Sequence, residues 1–181
     1  MKRLLLLRHA KSAGKDDPRL SDHERPLAPR GKRAAVAMGE HLPVPDLVVC
    51  SSARRAVETW ELARPGLGRD VEVAFEDRLY TFDEEDLLGR VRELDDQLAS
   101  VLMVGHNPAM EMLALELTGD DVGKYPTAAL ATVAFDGAWR SLAADKAWLE
   151  SFVRPRDLPV TPKPTGGARD QARRSHRGRA L

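Results

Sequence analysis

The strongest constraint on the fold of this chain is an apolar run of four leucines, Leu4 to Leu7, that ends abruptly at Arg8 and His9. A short apolar run bounded by charge predicts a strand buried on both faces, as in the parallel sheets of α/β proteins. Ligands of such sheets bind beyond the carboxyl ends of the strands. The sequence therefore predicts that Arg8 and His9 lie at the ligand-binding edge of a central sheet.

Further strands and helices alternate along the chain. Short apolar segments predict five more strands, the last two including an antiparallel edge, at residues 46–50, 71–75, 101–104, 129–135 and 147–153. Start signals predict four helices between them, opening at Pro29, after a Ser51 or Ser52 cap, after an Asp83 cap, and at an Asn107 cap followed by Pro108. This alternation predicts an α/β fold, a three-layer α/β/α sandwich with a mainly parallel central sheet and no large insertions.

The end of the chain differs in composition from the rest. Residues 154–181 hold seven Arg and one Lys against Asp157 and Asp170, together with four prolines and few large apolar side chains. Such a segment cannot bury enough surface to offset its ordering entropy. We expect one domain over residues 1–153 and a basic, disordered tail over residues 154–181, with a nucleic-acid-binding arm as the less favoured reading.

Composition excludes several classes of protein. The chain is 43% hydrophobic and 31% charged, and it has no apolar run near the length of about 20 residues that spans a bilayer. The leucine run is shorter than the roughly 7 to 15 apolar residues of a signal peptide, and a single cysteine suits a reducing cytoplasm. The five histidines lack the spacing of zinc motifs, so no metal or other cofactor is expected. The sequence does not determine the oligomeric state.

Polar residues follow three of the predicted strands. They are Arg8-His9, residues 51–55 and His106-Asn107, and the carboxyl ends of parallel strands bring them to one edge of the sheet. Guanidinium groups and helix N-termini bind phosphate oxygens, and an unprotonated histidine can accept a phosphoryl group covalently. The edge is therefore predicted to bind and transfer a phosphoryl group.

Three motifs at these strand ends resemble those of the histidine phosphatase (phosphoglycerate mutase-like) superfamily. Residues 8–12 resemble its RHxxS signature, residues 51–59 its SxxxRAxxT element, and residues 105–108 (Gly-His-Asn-Pro) its second-histidine motif. Residues 22–31 are similar to the short SixA-type phosphohistidine phosphatases. The resemblance spans about residues 2–153. It implies that residues 1–153 form a histidine phosphatase catalytic domain.

The resemblance implies roles for four residues of the site. It makes His9 the phosphorylated nucleophile and gives binding of the transferred phosphoryl group to Arg8, Arg55 and His106. The register of the motif selects Arg55, which stands four residues after Ser51, over its neighbour Arg54.

The remaining site residues are less constrained. Ser12 and Asn107 are expected to support the pocket by hydrogen bonds, and Lys11 to guide an anionic substrate. The general acid stays open between two carboxyl groups, with Asp22 in the first loop favoured over Glu76 after the third strand.

The leading hypothesis is a metal-independent phosphatase that works through a phosphohistidine intermediate on His9. No sizeable insertion interrupts residues 30–153 to form a lid over a small molecule, which favours a phosphohistidine side chain on a partner protein as substrate. A phosphomonoesterase of small metabolites is the alternative. A hypothesis of another class is a non-catalytic phosphate-binding regulatory module. No membrane partner is expected, and nucleic acid is disfavoured, although the basic tail leaves that partner open.

Overall fold

A six-stranded sheet forms the centre of the structure, a computed structural model that describes residues 1–159. The strands are, in chain order, β1 (Lys2–Arg8), β2 (Leu47–Ser51), β3 (Val73–Glu76), β4 (Ser100–Gly105), β5 (Leu130–Phe135) and β6 (Ala147–Val153). Across the sheet they are ordered β3-β2-β4-β1-β5-β6. The first four pair in parallel, whereas β5 is antiparallel to β1 and β6 is antiparallel to β5. The predicted mainly parallel sheet with an antiparallel edge is confirmed.

Four helices cover the sheet on its two faces: α1 (Pro29–Gly39), α2 (Arg54–Ala63), α3 (Glu84–Arg92) and α4 (Ala109–Thr118). All four leucines of β1 are fully buried. Leu5 and Leu7 belong to the core cluster that includes residues of α1 and α2, and Leu4 and Leu6 to the cluster that includes residues of α3 and α4. Burial of one leucine side chain contributes about 1.5–3 kcal/mol to stability. Strand β1 therefore stabilises the packing of helices on both faces of the sheet.

The register of the central strands positions the predicted site. Arg8 at the end of β1 pairs with Gly105 at the end of β4, and the backbone N–H of His9 donates to the oxygen of Gly105 at 2.9 Å. On the other side of β4, the strand β2 ends at Ser51. Arg8, Ser51 and Gly105 therefore share one edge of the sheet, as the sequence predicted.

The loop between β1 and α1 is closed at its base. Ser12 and Leu27 form an isolated antiparallel bridge, and the N–H of Ala28 donates to the oxygen of Lys11 at 2.8 Å. Gly31 in the first turn of α1 packs directly on this base, where an added Cβ would lie 2.1 Å from the Lys11 oxygen. The loop is thus anchored at both ends, which fixes where its tip can reach.

Two of the predicted helix starts are confirmed by the structure. Pro29 is the first residue of α1, and the carboxylate of Asp83 caps α3 by accepting from the N–H of Glu85 at 2.9 Å. Gly119 closes α4 with a left-handed φ of 72°, which glycine adopts without strain.

The other two predicted caps are wrong. Helix α2 begins after Ala53 and α4 after Pro108, neither with a side-chain cap. Ser51 and Ser52 contact histidine side chains, and the Asn107 amide donates to the carboxylate of Glu111 at 2.7 Å. The two serines are engaged by distant histidines, whereas Asn107 lies one residue before the N-cap position of α4 and its Oδ1 has no partner among the described residues.

Strand β3 begins at Val73, two residues later than predicted, and ends at Glu76. Beyond β6 the chain forms a short turn at Pro155–Asp157, and Leu158 packs into the core cluster on the α1 and α2 face. The predicted domain boundary after Val153 therefore falls inside a packed segment. The rest of the predicted tail, residues 160–181, lies outside the described residues. Within residues 1–159, no helix is long and apolar enough to cross a membrane.

Candidate active site

His9 lies directly beyond β1, with its side chain almost completely buried. Its Nδ1 is 2.8 Å from the backbone oxygen of Ala10, an acceptor, so Nδ1 carries the proton in the neutral ring. The lone pair is then on Nε2, which accepts a hydrogen bond from Nε of Arg55 at 3.3 Å. His9 is therefore oriented with an unprotonated nitrogen towards a guanidinium group.

The surroundings of His9 keep its ring neutral. Burial lowers the pKa of His9 from 6.5 to about 4, and the positive charges of Arg55, Arg8 and Arg25 add to this effect against the opposing hydrogen bond to Ala10. At neutral pH the Nε2 lone pair is consequently available for attack on an electrophile.

His106 follows β4 and lies beside His9, with 5.1 Å between the ring centroids. Its Nε2 is 2.8 Å from Oγ of Ser51, which already accepts from the N–H of Ala53. The Ser51 hydroxyl can donate to Nε2 while it accepts from Ala53, and in that tautomer the proton of neutral His106 lies on Nδ1. Burial, followed by the charges of His9 and Arg55, lowers the pKa of His106 to about 3.

The Nδ1 of His106 is buried and has no hydrogen-bond partner among the described residues. A buried donor without an acceptor costs about 1–3 kcal/mol, and such groups mark positions where an acceptor is expected to bind. Because the two histidine rings are neighbours, an oxygen of a phosphoryl group on His9 is a candidate acceptor for this N–H.

Arg55 connects His9 to the first loop. Its buried side chain donates from Nη1 to the backbone oxygen of Asp22 at 2.6 Å and from Nη2 to the Asp22 carboxylate at 2.9 Å, in addition to its contact with His9. Arg54 is exposed and pairs instead with Glu58 at 2.7 Å. The structure thus places Arg55 and not Arg54 in the site, as the motif register predicted, while its catalytic role stays a prediction.

Asp22 reaches the site from the loop tip and is held by three donors: Tyr80 Oη at 2.7 Å, Arg25 Nη1 at 2.8 Å and Arg55 Nη2 at 2.9 Å. The hydrogen bond from Tyr80 and the two arginines lower the pKa of Asp22 well below its ordinary value. This arrangement favours the ionised form of the carboxyl group, and the role of Asp22 as general acid stays a prediction.

Glu76, the other predicted candidate for the general acid, is bound elsewhere. Its carboxylate accepts from Arg90 at 2.9 Å and from Arg78 at 2.7 Å. Within residues 1–159 no hydrogen bond or ion pair joins it to either site histidine. Of the two candidates, only Asp22 contacts the site.

Arg8 and Asn107 meet at the backbone of Tyr125. The oxygen of Tyr125 accepts from Arg8 Nη1 at 2.7 Å and from Asn107 Nδ2 at 3.3 Å. Arg8 Nε and Asn107 Oδ1 are buried without a partner in the described part of the chain. Arg8 therefore retains an unpaired N–H donor next to His9, whereas Asn107 contacts the segment around Tyr125.

Ser12 and Lys11 do not contact the two histidines. Ser12 Oγ accepts from Arg25 Nη2 at 2.9 Å, so its influence on Asp22 passes through Arg25. The Lys11 side chain is exposed and forms no hydrogen bond or ion pair within residues 1–159. Guidance of an anionic substrate by Lys11 stays a prediction.

Sequence reasoning missed four residues that build the site. Ser51 orients His106, Arg25 and Tyr80 hold Asp22, and Thr59 accepts from the N–H of Ala10 at 2.9 Å while donating to the oxygen of Arg55 at 2.6 Å. Ser51 and Thr59 stand in the second motif, whose spacing could have suggested them. No sequence signal marks Tyr80, which follows a short turn after β3.

Aromatic rings surround His106 on the side of the sheet edge. The ring centroids of Tyr80 and Phe82 lie 5.3 Å and 6.0 Å from that of His106. Phe82 is 51% exposed, and His23 packs edge-on against Tyr80 with its Nε2 3.0 Å from Ser52 Oγ. The entrance to the site therefore presents aromatic surface to an incoming group.

The arrangement as a whole is suited to phosphoryl transfer. It combines a neutral nucleophilic nitrogen, two buried or half-buried guanidinium groups and an unpaired imidazole N–H in one pocket. These are the groups that attack phosphorus and stabilise its oxygens as negative charge develops. Residues 1–159 hold no cluster of three His, Cys, Asp or Glu side chains placed to bind a metal ion, and metal independence stays a prediction.

Known proteins with similar sequences agree with this description. Residues 4–100 match the family model of the histidine phosphatase superfamily (branch 1). The uncharacterised protein Rv1276c of Mycobacterium tuberculosis (strain ATCC 25618 / H37Rv) is 35% identical over 164 residues, which cover 83% of this chain and 100% of the relative.

Solved structures extend the similarity to the fold. A protein of Nakamurella multipartitia assigned as the phosphohistidine phosphatase SixA is 31% identical, with a TM-score of 0.73 over 85% of this chain and 96% of that chain. A second SixA assignment, from Agrobacterium tumefaciens, is 26% identical, with a TM-score of 0.74 over 85% of this chain and 98% of that chain. The sequence motifs, the site and these matches show that the chain belongs to the histidine phosphatase superfamily (branch 1), as a SixA-type member.

Proposed function

We propose that this protein is a metal-independent phosphatase that transfers the phosphoryl group of its substrate first to His9 and then to water. The observation that carries the proposal is the geometry of His9, whose unprotonated Nε2 is 3.3 Å from the guanidinium of Arg55. Membership of the histidine phosphatase superfamily supports phosphatase activity. The substrate that we propose is a phosphohistidine side chain on a partner protein.

In the first step, the lone pair of His9 Nε2 forms a bond to phosphorus. The bond from phosphorus to the leaving atom breaks, and its electron pair stays on that atom. Arg8, Arg55 and the Nδ1–H of His106 bind the phosphoryl oxygens, and the Ala10 carbonyl stabilises the positive charge that develops on the His9 ring.

In the second step, a water oxygen bonds to phosphorus and the bond from phosphorus to Nε2 breaks. The electron pair of that bond returns to Nε2, and the protons of the water leave with the phosphate and the solvent. His9 is then again neutral and unphosphorylated, so each cycle consumes one water molecule and regenerates the nucleophile.

The ionised state of Asp22 supports phosphohistidine over an alkyl phosphate ester. An alkoxide needs a proton in order to leave, and a carboxylate that accepts from Tyr80, Arg25 and Arg55 is held in the form that lacks one. The nitrogen of a phosphohistidine is protonated readily and leaves as neutral imidazole. We propose that Asp22 serves to position Arg55, and that the exposed aromatic ring of Phe82 contacts the leaving imidazole.

Turnover of several substrates tests the proposal. We expect a phosphohistidine protein to be hydrolysed with a higher kcat/KM than a sugar phosphate or phosphoglycerate, and EDTA to leave the rates unchanged. His9→Ala should abolish turnover. The control His41→Ala should not, because it removes an exposed histidine that is hydrogen-bonded to the Ala37 carbonyl.

Other results would contradict the proposal in distinct ways. A preference for the sugar phosphate or phosphoglycerate would favour the small-metabolite phosphomonoesterase. Phosphate binding without turnover of any substrate would favour the non-catalytic regulatory module. Loss of activity with EDTA would contradict metal independence.

A further inference from the structure

A groove that the proposed chemistry does not use lies where the segment before β5 meets the end of β6. It encloses about 480 Å³. Apolar residues and three cationic side chains line it, among them Val122, Lys124, Pro126, Arg154, Pro155 and Arg156. We call it the basic groove.

The cations of the basic groove are only partly neutralised. Lys124 is exposed and has no hydrogen bond or ion pair to any residue within 1–159. Arg156 is 3.7 Å from the carboxylate of Asp157, with both side chains well exposed to solvent. Solvent screens such an exposed pair, and the described residues that line the groove include three cations and no carboxylate.

Arg154 is the most constrained of these cations. Its Nη2 donates to the backbone oxygen of Val122 at 3.0 Å, and its guanidinium lies over the ring of Phe152, 4.9 Å from the centroid. Its Nε is buried and has no partner in the described part of the chain. Arg154 therefore holds a fixed positive charge in the wall of the groove, where it can attract a carboxylate.

The basic groove adjoins the candidate active site through one short segment. The backbone of Tyr125 accepts from Arg8, and the N–H of Ala128 donates to the oxygen of His9 at 3.1 Å. Pro126, which lines the groove, lies between these two contacts in the chain. A substrate chain with its phosphorylated residue at His9 would therefore have neighbouring residues close to the groove.

We propose that the basic groove binds an acidic segment flanking the phosphorylated residue of a protein substrate. The inference rests on the proposed function and specifies how such a substrate is recognised. Side-chain carboxylates of that segment pair with Lys124, Arg154 and Arg156, while its aliphatic stems contact the apolar wall. Residues 160–181 of this chain carry five Arg and one Lys against one Asp, so like charge disfavours them as the occupant.

Charge reversal tests this inference. For a phosphohistidine protein with an acidic flank, the double variant K124E/R156E should raise KM about tenfold, because two favourable charge contacts become repulsive. The kcat/KM for a small phosphoramidate should change less than about twofold, since that substrate does not reach the groove. Added salt should raise the wild-type KM for the protein more than it raises that of the variant.

Lys146→Glu provides the matched control. Lys146 is exposed and directly precedes β6, which starts at the opposite edge of the sheet from His9. We expect it to leave KM for the protein substrate unchanged. An unchanged KM in K124E/R156E, or an equal loss with the small phosphoramidate, would overturn the proposal.

Direct binding separates the groove from the proposed function. We expect a fluorescent glutamate-rich peptide without phosphate to bind wild type in an anisotropy titration, and to bind K124E/R156E much more weakly. This result would support the groove even if no phosphohistidine protein were hydrolysed. Absence of peptide binding to wild type would overturn the groove whatever the substrate, as would stronger binding of a single-stranded oligonucleotide to the same residues.

Discussion

The two sides of the candidate active site are built by different parts of the fold. His9 and His106 follow β1 and β4, whose pairing of Arg8 with Gly105 sets their relative positions. Asp22 comes from the long loop before α1, with its carboxylate 49% exposed and held only by side chains. The positions of the two histidines are therefore fixed by buried backbone pairing. The position of Asp22 depends instead on side-chain hydrogen bonds, which a single substitution can remove.

The neighbours Arg55 and Arg54 give the largest expected contrast. Arg55→Ala should lower kcat about 100-fold to 1,000-fold, as expected when a donor to the developing phosphoryl charge is removed. Arg54→Ala should change kcat less than about twofold, because an exposed ion pair contributes little. Steady-state kinetics with a small phosphoramidate, alongside thermal melts of both variants, checks this. Similar losses in the two variants would contradict the placement of Arg55.

The pH dependence of activity tests whether burial of His9 controls its protonation. Protonation of Nε2 removes the lone pair of His9, so kcat/KM should stay level at neutral pH and fall on the acid side with a midpoint near its pKa of about 4. An acid limb centred near 6.5, the ordinary value for histidine, would show that burial does not control this group.

Folding stability must be measured at the same pH values. Because the pKa of His9 is lower in the folded chain, the unfolded chain takes up the proton first. Its contribution to stability is therefore complete above pH 6.5 and is lost as pH falls from there towards 4. Activity should be compared only where the protein remains folded.

Substitutions at Ser51 and Ser52 compare the side of the site that follows the strands with the side that the first loop supplies. Ser51→Ala removes the hydroxyl that donates to His106, and we expect kcat to fall about tenfold, which is the scale of one buried hydrogen bond. Ser52→Ala removes the contact with His23 on the loop and should cost no more than about threefold. The order of the two kcat values is the measurement, and a reversed order would contradict our assignment of Ser51 to His106.

The smallest effect is expected at the end of the chain. We propose that residues 160–181 are a basic extension outside the catalytic domain. Their removal, which retains the buried Leu158, should leave turnover of a small phosphoramidate unchanged. A loss of more than about fivefold, well beyond the usual effect of surface changes, would assign this segment a role in catalysis.

The sequence allowed the sheet and the strand-borne residues to be predicted because each signal was local. The leucine run of β1, the residues after each strand and the spacing from Ser51 to Arg55 can all be identified without knowledge of distant contacts. The predicted cap at Ser51 failed for the opposite reason, because its hydroxyl is engaged by His106, which lies 55 residues along the chain. The contacts of Asp22 with Tyr80 cross from one loop to another, and no periodicity encodes such a meeting.

The central claim is that the phosphoryl group passes through Nε2 of His9. Rapid quench of the wild-type protein with a ³²P-labelled phosphohistidine protein tests it most directly, followed by peptide mapping. We predict acid-labile, base-stable label on the peptide that contains His9. EDTA should not change the amount of label, and His9→Ala should carry none. Label retained by His9→Ala, or wild-type turnover with no labelled intermediate at any time, would contradict it.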